Sequence, residues 1–263
     1  EGINGCGGGL NFYGGDALYE VRNCLFTGNS ATSEGGAIGA EVFAKPKIEN
    51  CTFAGNCVAE LGSAVYADWS SDLIINNSIF KDCNSVAIGE EDFGGSLITY
   101  SLFHSNEGAD YGIADSVSGE VTTFSGPEVD PSNLEGDPLF AVGELGEYYL
   151  SQTDTEGVQS PAVDEGSDNS IVLGLSDMTT RTDSSKDIDT VDIGYHYLVH
   201  TEVPQYNLTA SAISGYGSVI PSSGTYYAGT FVPLSAIPDT GYKVAGWIGT
   251  MNDSSRSKKN LVV

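Results

Sequence analysis

The chain has 263 residues, 34 of them glycine and 14 tyrosine, and its 36 Asp and Glu against 10 Lys and Arg give a formal net charge of −26 at pH 7. Such an acidic protein repels nucleic acids and anionic membrane surfaces, which excludes both as expected partners. We expect cations, neutral glycans or basic proteins instead. No apolar run approaches the roughly 18 residues of a membrane helix, and the composition is typical of an all-β protein with many tight turns.

The charge is unevenly distributed along the chain. Residues 1–200 hold 33 acids and 6 bases, a net of −27, whereas residues 201–263 hold 3 acids and 4 bases, a net of +1. So abrupt a change predicts a domain boundary near Thr201–Gln205. We therefore treat residues 205–263 as a separate unit.

A short motif recurs in the first half of the chain. It reads NCLFTGN, NCTFAGN, NSIFKDC and YSLFHSN, and its phenylalanines are Phe26, Phe53, Phe80 and Phe103, at steps of 27, 27 and 23 residues. The short step is a loss of four residues between Phe80 and Ile88, because the stretch from Ile88 to Phe103 keeps the usual 15. Length changes confined to one turn are typical of stacked rungs. The repeat predicts parallel β-helix rungs over residues 1–113.

In this register, equivalent residues of successive rungs form columns. The four phenylalanines form one, and two further apolar columns are Val21, Ile48, Ile75 and Ile98, and Leu10, Ile38, Val65 and Ile88. Asn23, Asn50 and Asn77 form a polar column. Because Asn tolerates the left-handed backbone conformation, we expect these residues at a corner, with side chains that hydrogen-bond along the stack.

Five cysteines lie at positions 6, 24, 51, 57 and 83. Cys24 and Cys51 occupy the same motif position one rung apart, so they should stack at about 4.8 Å. Cys57 and Cys83 are offset by one position and are a second candidate pair. Each pair fits either a disulfide or buried free thiols, and both alternatives stay open. The spacing does not favour zinc.

Two acidic groups are candidate calcium ligands. Glu90-Glu91-Asp92 follows the shortened turn, and three adjacent carboxylates repel one another unless water or a shared cation separates them. The second group lies in TDSSKDIDTVD and consists of Asp183, Asp187, Asp189 and Asp192. The i, i+2 step from Asp187 to Asp189 suits hard oxygen ligation. A solvated acidic surface is the alternative interpretation of both groups.

An enzymatic function is the second hypothesis, because many parallel β-helices cleave polysaccharides with acids placed on one face of the coil. The rungs offer the acids Asp68, Asp72 and Asp82 and the bases Arg22, Lys45, Lys47 and Lys81, and no catalytic motif joins them. Four rungs span only about 20 Å at 4.8 Å per rung. We assign no catalytic or cofactor-binding residue and favour a non-enzymatic function.

The motif GNSATSEGGAI at residues 28–38 resembles the FxxN/GGAI repeats of right-handed parallel β-helix proteins of the polymorphic outer membrane protein type. Residues 136–166 and the later VDIGYHY are similar to the segment that closes many bacterial secreted β-helix proteins. This resemblance implies that residues 114–200 are a cap. Its apolar side chains are expected to cover the open end of the coil, and they include Leu139, Phe140, Tyr148 and Leu150.

Residues 205–263 show short alternating strands broken by Gly and Pro. They resemble the internalin B-repeat through Gly217-Ser218-Val219, Gly224-Thr225-Tyr226, Gly241-Tyr242 and Gly246-Trp247. The resemblance implies a small β-rich spacer on a bacterial surface protein. We expect this unit to lack its final strand and the chain to be a piece of a longer one.

These observations predict an all-β, secreted or cell-surface bacterial protein. Its expected function is structural or adhesive, as a rigid acidic rod or a subunit of an extracellular assembly. Its expected partners are other copies of itself, other surface proteins or glycans. The alternative is a carbohydrate-active β-helix enzyme of the polysaccharide lyase or glycosidase type, or a glycan-binding module, with its active rungs upstream of residue 1.

Overall fold

A computed structural model of the chain describes residues 7–15, 18–58, 60–68, 70–91, 95–199, 205–212, 215–227, 230–251 and 257–262. The chain divides into two compact units, Glu1–Val199 and His200–Val263. Nearly all regular structure is β-strand, which confirms the all-β prediction. Within the described residues, no helix is long and apolar enough to cross a membrane.

The first unit is built on a parallel β-helix with three strands per rung. The strands are β1 (Leu10–Tyr13), β2 (Leu18–Arg22) and β3 (Leu25–Thr27) in the first rung, β4 (Ile38–Glu41), β5 (Lys45–Glu49) and β6 (Thr52–Ala54) in the second, β7 (Val65–Ala67), β8 (Ile74–Asn76) and β9 (Ile79–Lys81) in the third, and β10 (Ile88–Glu91), β11 (Leu97–Thr99) and β12 (Leu102–His104) in the fourth. Equivalent strands pair in parallel. They form a first sheet from β1, β4, β7 and β10, a second from β2, β5, β8 and β11, and a third from β3, β6, β9 and β12.

The structure places the four phenylalanines in one register column of the third sheet. Their rings stack with centroids 4.8, 4.9 and 5.2 Å apart. The two predicted apolar columns lie in the second and first sheets, in the same register as the sequence repeat. All members of these columns lie in the interior cluster except Leu10 in the first rung, which is 39% exposed.

The other residues of the motif join one rung to the next. Asn56 is fully buried, and its Oδ1 accepts the backbone N–H of Asn29 at 3.0 Å while its Nδ2 donates to the carbonyl of Phe26 at 3.0 Å. The two glycines of the GGAI part of the motif are required for steric reasons. Gly35 has φ +64°, and a Cβ on Gly36 would lie 2.2 Å from the carbonyl oxygen of Ser63 in the next rung.

A reversal of the chain closes the end of the coil. β13 (Tyr111–Ala114) adds to the first sheet, β14 (Val121–Phe124) returns antiparallel to it, and a short helix α1 (Gly126–Val129) leads to β15 (Leu134–Glu135), which adds to the third sheet. Phe124 and Val129 pack against the interior cluster.

The rest of the unit contains β16 (Phe140–Gly143), β17 (Gly146–Leu150), β18 (Met178–Thr179) and β19 (Tyr197–Leu198). Here the structure differs from the prediction that this segment covers the open end. Phe140 and Leu150 pack instead with Ile79 and Leu102 of the third sheet. The reason is strand alternation, since the neighbours of the inward phenylalanines point outward and are apolar. The segment therefore covers the outer side of the coil.

The second unit contains two antiparallel sheets. β20 (Gln205–Thr209) pairs with β22 (Ser223–Tyr227), and β23 (Val232–Pro238) pairs with both β21 (Gly217–Ile220) and β24 (Lys259–Val262). Val219, Val232 and Leu234 form its core, and Trp247 packs against them. This is the small β-rich domain that the sequence predicts.

Candidate functional site

Three carboxylates line one column on the first sheet, where Glu41, Asp68 and Glu91 follow each other in successive rungs. The register pairs Ala40 with Ala67 and Ala67 with Glu90, which sets these acids one rung apart, about 4.8 Å. Burial, and next the charge of Glu41, raise the pKa of Asp68 to about 7. Its Oδ1 is buried and finds no hydrogen-bond partner among the described residues. We call Glu41, Asp68 and Glu91 the acidic column.

Glu90 points the other way, into the coil. It lies in register with Ala67 on one side and Ile113 on the other, and it is 1% exposed. The hydroxyl of Tyr111 donates to its Oε2 at 2.7 Å, while Oε1 has no partner in the described part of the chain. Burial raises the pKa of Glu90 to about 7. The interior of the fourth rung therefore holds a carboxyl that is readily protonated.

The structure thus divides the predicted acidic triplet. Glu90 and Glu91 are neighbours on one strand, so they point to opposite faces, and Asp92 lies outside the described residues. A signal for this was present in the sequence, because the rung alignment puts Glu90 in the column of Ala40 and Ala67. Sequence reasoning missed it by considering the three acids as one group.

The second predicted calcium group is also divided. Asp183 accepts two bonds from the Arg181 guanidinium, at 3.0 and 2.8 Å, which hold the pKa of this carboxyl well below its usual range. Asp187 and Asp192 are buried, whereas Asp189 is exposed. The described residues contain no group of three or more His, Cys, Asp or Glu side chains that could hold a metal ion. Calcium binding stays a prediction.

Asp187 and Asp192 belong to a buried polar network with His196. Asp187 Oδ2 lies 2.8 Å from His196 Nε2, and the backbone N–H of Asp192 donates to the same oxygen at 3.1 Å. Asp192 in turn accepts the hydroxyl of Thr180 and the N–H of Asp164. Burial, and next the charge of Asp187, raise the pKa of Asp192 to about 6. These acids organise the backbone of their own segment.

The three corner asparagines adopt the left-handed conformation, with φ of +48°, +51° and +50° at Asn23, Asn50 and Asn77. Their side chains do not bond along the stack as we expected. Asn23 exchanges two bonds with the backbone of His196, at 2.7 and 2.9 Å, and Asn77 exchanges two with Ser167, at 2.8 and 3.0 Å. The reason is that the segment lying beside this corner offers closer partners. Asn50, 2% exposed, has no described partner for its side chain.

The four described cysteines are free thiols. Cys57 is exposed, whereas Cys83 lies in the interior cluster, so these two do not face each other. Burial raises the pKa of Cys83 to about 12. Cys24 and Cys51 occupy neighbouring rungs on the same interior column.

An open cavity of about 610 Å³ lies beside the closed end of the coil. The residues around it include Phe103, Phe124, Glu128, Glu135 and His104, and the Phe103 ring itself is 2% exposed and stacks inside the coil. Glu128 accepts the backbone N–H of Ser125 at 2.8 Å. His104 lies 3.7 Å from Asp137 and remains partly exposed. Phe124 is therefore the partly exposed aromatic residue that lies beside the polar side chains of this concave surface.

Two family models match the chain. One describes a right-handed β-helix region and matches residues 3–128, and the other describes a divergent InlB B-repeat domain and matches residues 206–263. Comparison with the curated proteins and with the solved structures finds no match. The two matched regions coincide with the coil and with the second unit, and together they fit a surface-type β-helical protein.

Proposed function

We propose that this chain, in which a right-handed β-helix region is followed by a divergent InlB B-repeat domain, is a structural or adhesive protein of the bacterial cell surface. In this proposal the coil is a rigid acidic rod or a subunit of an extracellular assembly. The observation that carries it is the use of buried polar side chains to bind one rung to the next.

The rung contacts support a stiff element. Each interior column continues through four rungs in unbroken register, and the phenylalanine rings stack along its length. The pair of side-chain to backbone hydrogen bonds made by Asn56 recurs at Asn106. The Asn106 side chain accepts from the backbone N–H of Cys83 and donates to the carbonyl of Phe80, at 3.2 Å each. A solenoid of this kind gains length and rigidity from few residues, because every rung contacts its neighbours along one axis.

The long segment after the coil supports rigidity as well. Its bonds to Asn23 and Asn77 span the first to the third rung, and the N–H of Tyr195 donates to Thr52 in the second at 3.0 Å. A single stretch of chain therefore braces three rungs from outside.

The surface location is tested on producing cells. Intact cells are treated with an impermeant protease and probed for the coil and for the repeat domain, beside a cytoplasmic control protein. We expect the protease to cleave both the coil and the repeat domain on intact cells while the cytoplasmic control protein stays intact. Cleavage that requires lysis of the cells would contradict the proposal.

A glycan-binding module is the second candidate function. The cavity at the closed end of the coil favours it, because sugars bind through polar side chains set beside aromatic rings. A panel of neutral oligosaccharides titrated into the chain tests this. Glu135→Gln should weaken binding, whereas Glu144→Gln, which lies outside the cavity wall, should not. Release of reducing ends would instead favour the enzymatic alternative.

A further inference from the structure

Cys24 and Cys51 lie side by side in neighbouring rungs, at a Cα separation that a disulfide can bridge. The adjoining residues Leu25 and Thr52 are register partners, and the N–H of Thr52 donates to the carbonyl of Cys24 at 3.0 Å. The two Cα atoms are therefore about 4.8 Å apart, within the disulfide range of roughly 4.4–6.8 Å. Both side chains point inward, since Cys51 is fully buried in the interior cluster and Cys24 packs against it.

The two thiols differ in exposure and acidity. Cys24 is partly exposed and Cys51 is not. The neighbouring Cys51 side chain is the main cause that lowers the pKa of Cys24, while burial raises the pKa of Cys51. The thiolate is the nucleophile in disulfide chemistry. Cys24 thus has the properties of the attacking sulfur, and Cys51 those of a sulfur that reacts only with its neighbour.

We propose that Cys24 and Cys51 are a redox site that forms a cross-rung disulfide by exchange with an external disulfide. The Cys24 thiolate attacks one external sulfur, so that a mixed disulfide forms and the first external thiolate leaves. The Cys51 sulfur then attacks the Cys24 sulfur, which forms the internal bond and releases the second external thiolate. The protons of the two protein thiols pass to the two released thiolates, and the external disulfide gains the two electrons that the protein loses.

The same column shows that serine is tolerated at this place. Ser78 and Ser101 occupy it in the next two rungs, where the hydroxyl of Ser78 accepts the N–H of Cys51 at 3.2 Å and that of Ser101 accepts the N–H of Ser78 at 3.3 Å. Replacement of Cys51 by Ser therefore repeats a solution that the chain already uses.

The test uses the full chain with the exposed Cys57→Ser substitution and glutathione disulfide as the oxidant. Trypsin cleaves after Arg22, Lys47 and Lys81 and leaves the Lys45–Pro46 bond intact, so Cys24 and Cys51 fall on peptides 23–47 and 48–81. Cys6 and Cys83 lie on other peptides. With Cys57 replaced, a link between 23–47 and 48–81 reports one pair alone.

We expect glutathione disulfide to convert most of these two peptides into the linked species, with loss of two hydrogens and no bound glutathione. In the Cys51→Ser, Cys57→Ser variant the reaction should stop at a glutathione adduct on Cys24. Thermal melts of the reduced proteins check that both variants are folded. The proposal is overturned if both thiols stay free, if Cys24 links to Cys6 or Cys83, or if the folded double variant shows no adduct on Cys24.

Discussion

Glu90 is a buried carboxyl in a register column whose other members, Phe12, Ala40, Ala67 and Ile113, are apolar. Where the second and third rungs place alanine, the fourth places a carboxyl that accepts a hydrogen bond from Tyr111 and has one oxygen without a partner among the described residues. Ionising such a group is unfavourable because the interior cannot replace its hydration. The folded protein therefore holds a proton there that the unfolded chain releases.

This proton makes stability depend on pH. The pKa rises from 4.5 in the reference state to about 7 in the fold, so between these values the folded state binds more protons than the unfolded state. The free energy of unfolding must then fall as pH rises through this window, by on the order of 3 kcal/mol for Glu90. Glu90→Gln should flatten that slope, as measured by urea unfolding at several pH values.

The matched control is Glu107→Gln, an exposed acid of the following turn. It should leave the slope unchanged. Asp68 and Asp192 have raised pKa values too and contribute in the same direction, so the informative quantity is the difference between Glu90→Gln and the unsubstituted chain. Equal slopes for these two proteins would show that Glu90 is ionised in the fold.

Two corner asparagines allow a second comparison between single residues, that of the stability lost on replacement by alanine. Asn50 and Asn77 share the same backbone conformation, with φ +51° and +50°, so replacement by Ala costs both sites the same backbone strain. Of these two asparagines, only Asn77 bonds Ser167, whose hydroxyl also accepts from Asn76. Asn77→Ala should therefore destabilise the chain by about 2 kcal/mol more than Asn50→Ala. Equal losses in urea unfolding would rule out a stabilising role for the Ser167 contacts.

Among the structural elements, we expect substitutions in the phenylalanine column to lower the free energy of unfolding most. Phe53 is fully buried and stacks on both sides, whereas Phe26 is 9% exposed and stacks on Phe53 alone among the described rings. Phe53→Ala should cost about 3–5 kcal/mol, because it removes a large buried side chain and leaves a cavity. Phe26→Ala should cost less. Urea unfolding measures the free energy of unfolding of both variants. A larger loss of stability for Phe26→Ala than for Phe53→Ala would contradict the assigned register.

Much of this element structure was predictable from the sequence, and the reason is local. Rungs stack through backbone hydrogen bonds at a fixed spacing, so equivalent residues recur at a fixed interval and reveal the columns of Phe53, Ile48 and Ile38. The contacts of Asn77 with Ser167 were not predictable. They join residues 90 positions apart in a segment without a repeat, where no interval indicates which residues meet.

The two units of the molecule differ sharply in net charge. The net charge of −27 over residues 1–200 must oppose compaction of the first unit, whereas the net of +1 over residues 201–263 has no such effect. Raising the ionic strength from 0.01 to 0.15 M shortens the screening length from about 30 to about 8 Å. The melting temperature of the first unit should therefore rise with salt, and that of the second should not.

The two units can be followed separately in one protein. Trp69→Phe leaves Trp247, which packs against the core of the second unit, to report that unit, and the loss of the Phe53 and Phe80 amide signals on heating reports the first. The second unit serves as the internal control in the same buffer. A rise of both melting temperatures by the same amount would indicate a general salt effect and not the relief of repulsion.

Residue order alone is enough to predict a stack of β-rungs followed by a distinct β-rich unit. Side-chain alternation and rung spacing both appear in the sequence as fixed intervals between residues of the same kind. Three features become visible only in the folded protein. Residues 136–199 brace the side of the coil, Asn23 and Asn77 bind that segment, and Glu90 is enclosed while Glu91 is not. The physical reason is that these outcomes depend on which distant surfaces meet, and burial and hydrogen-bond partners exist only after they have met.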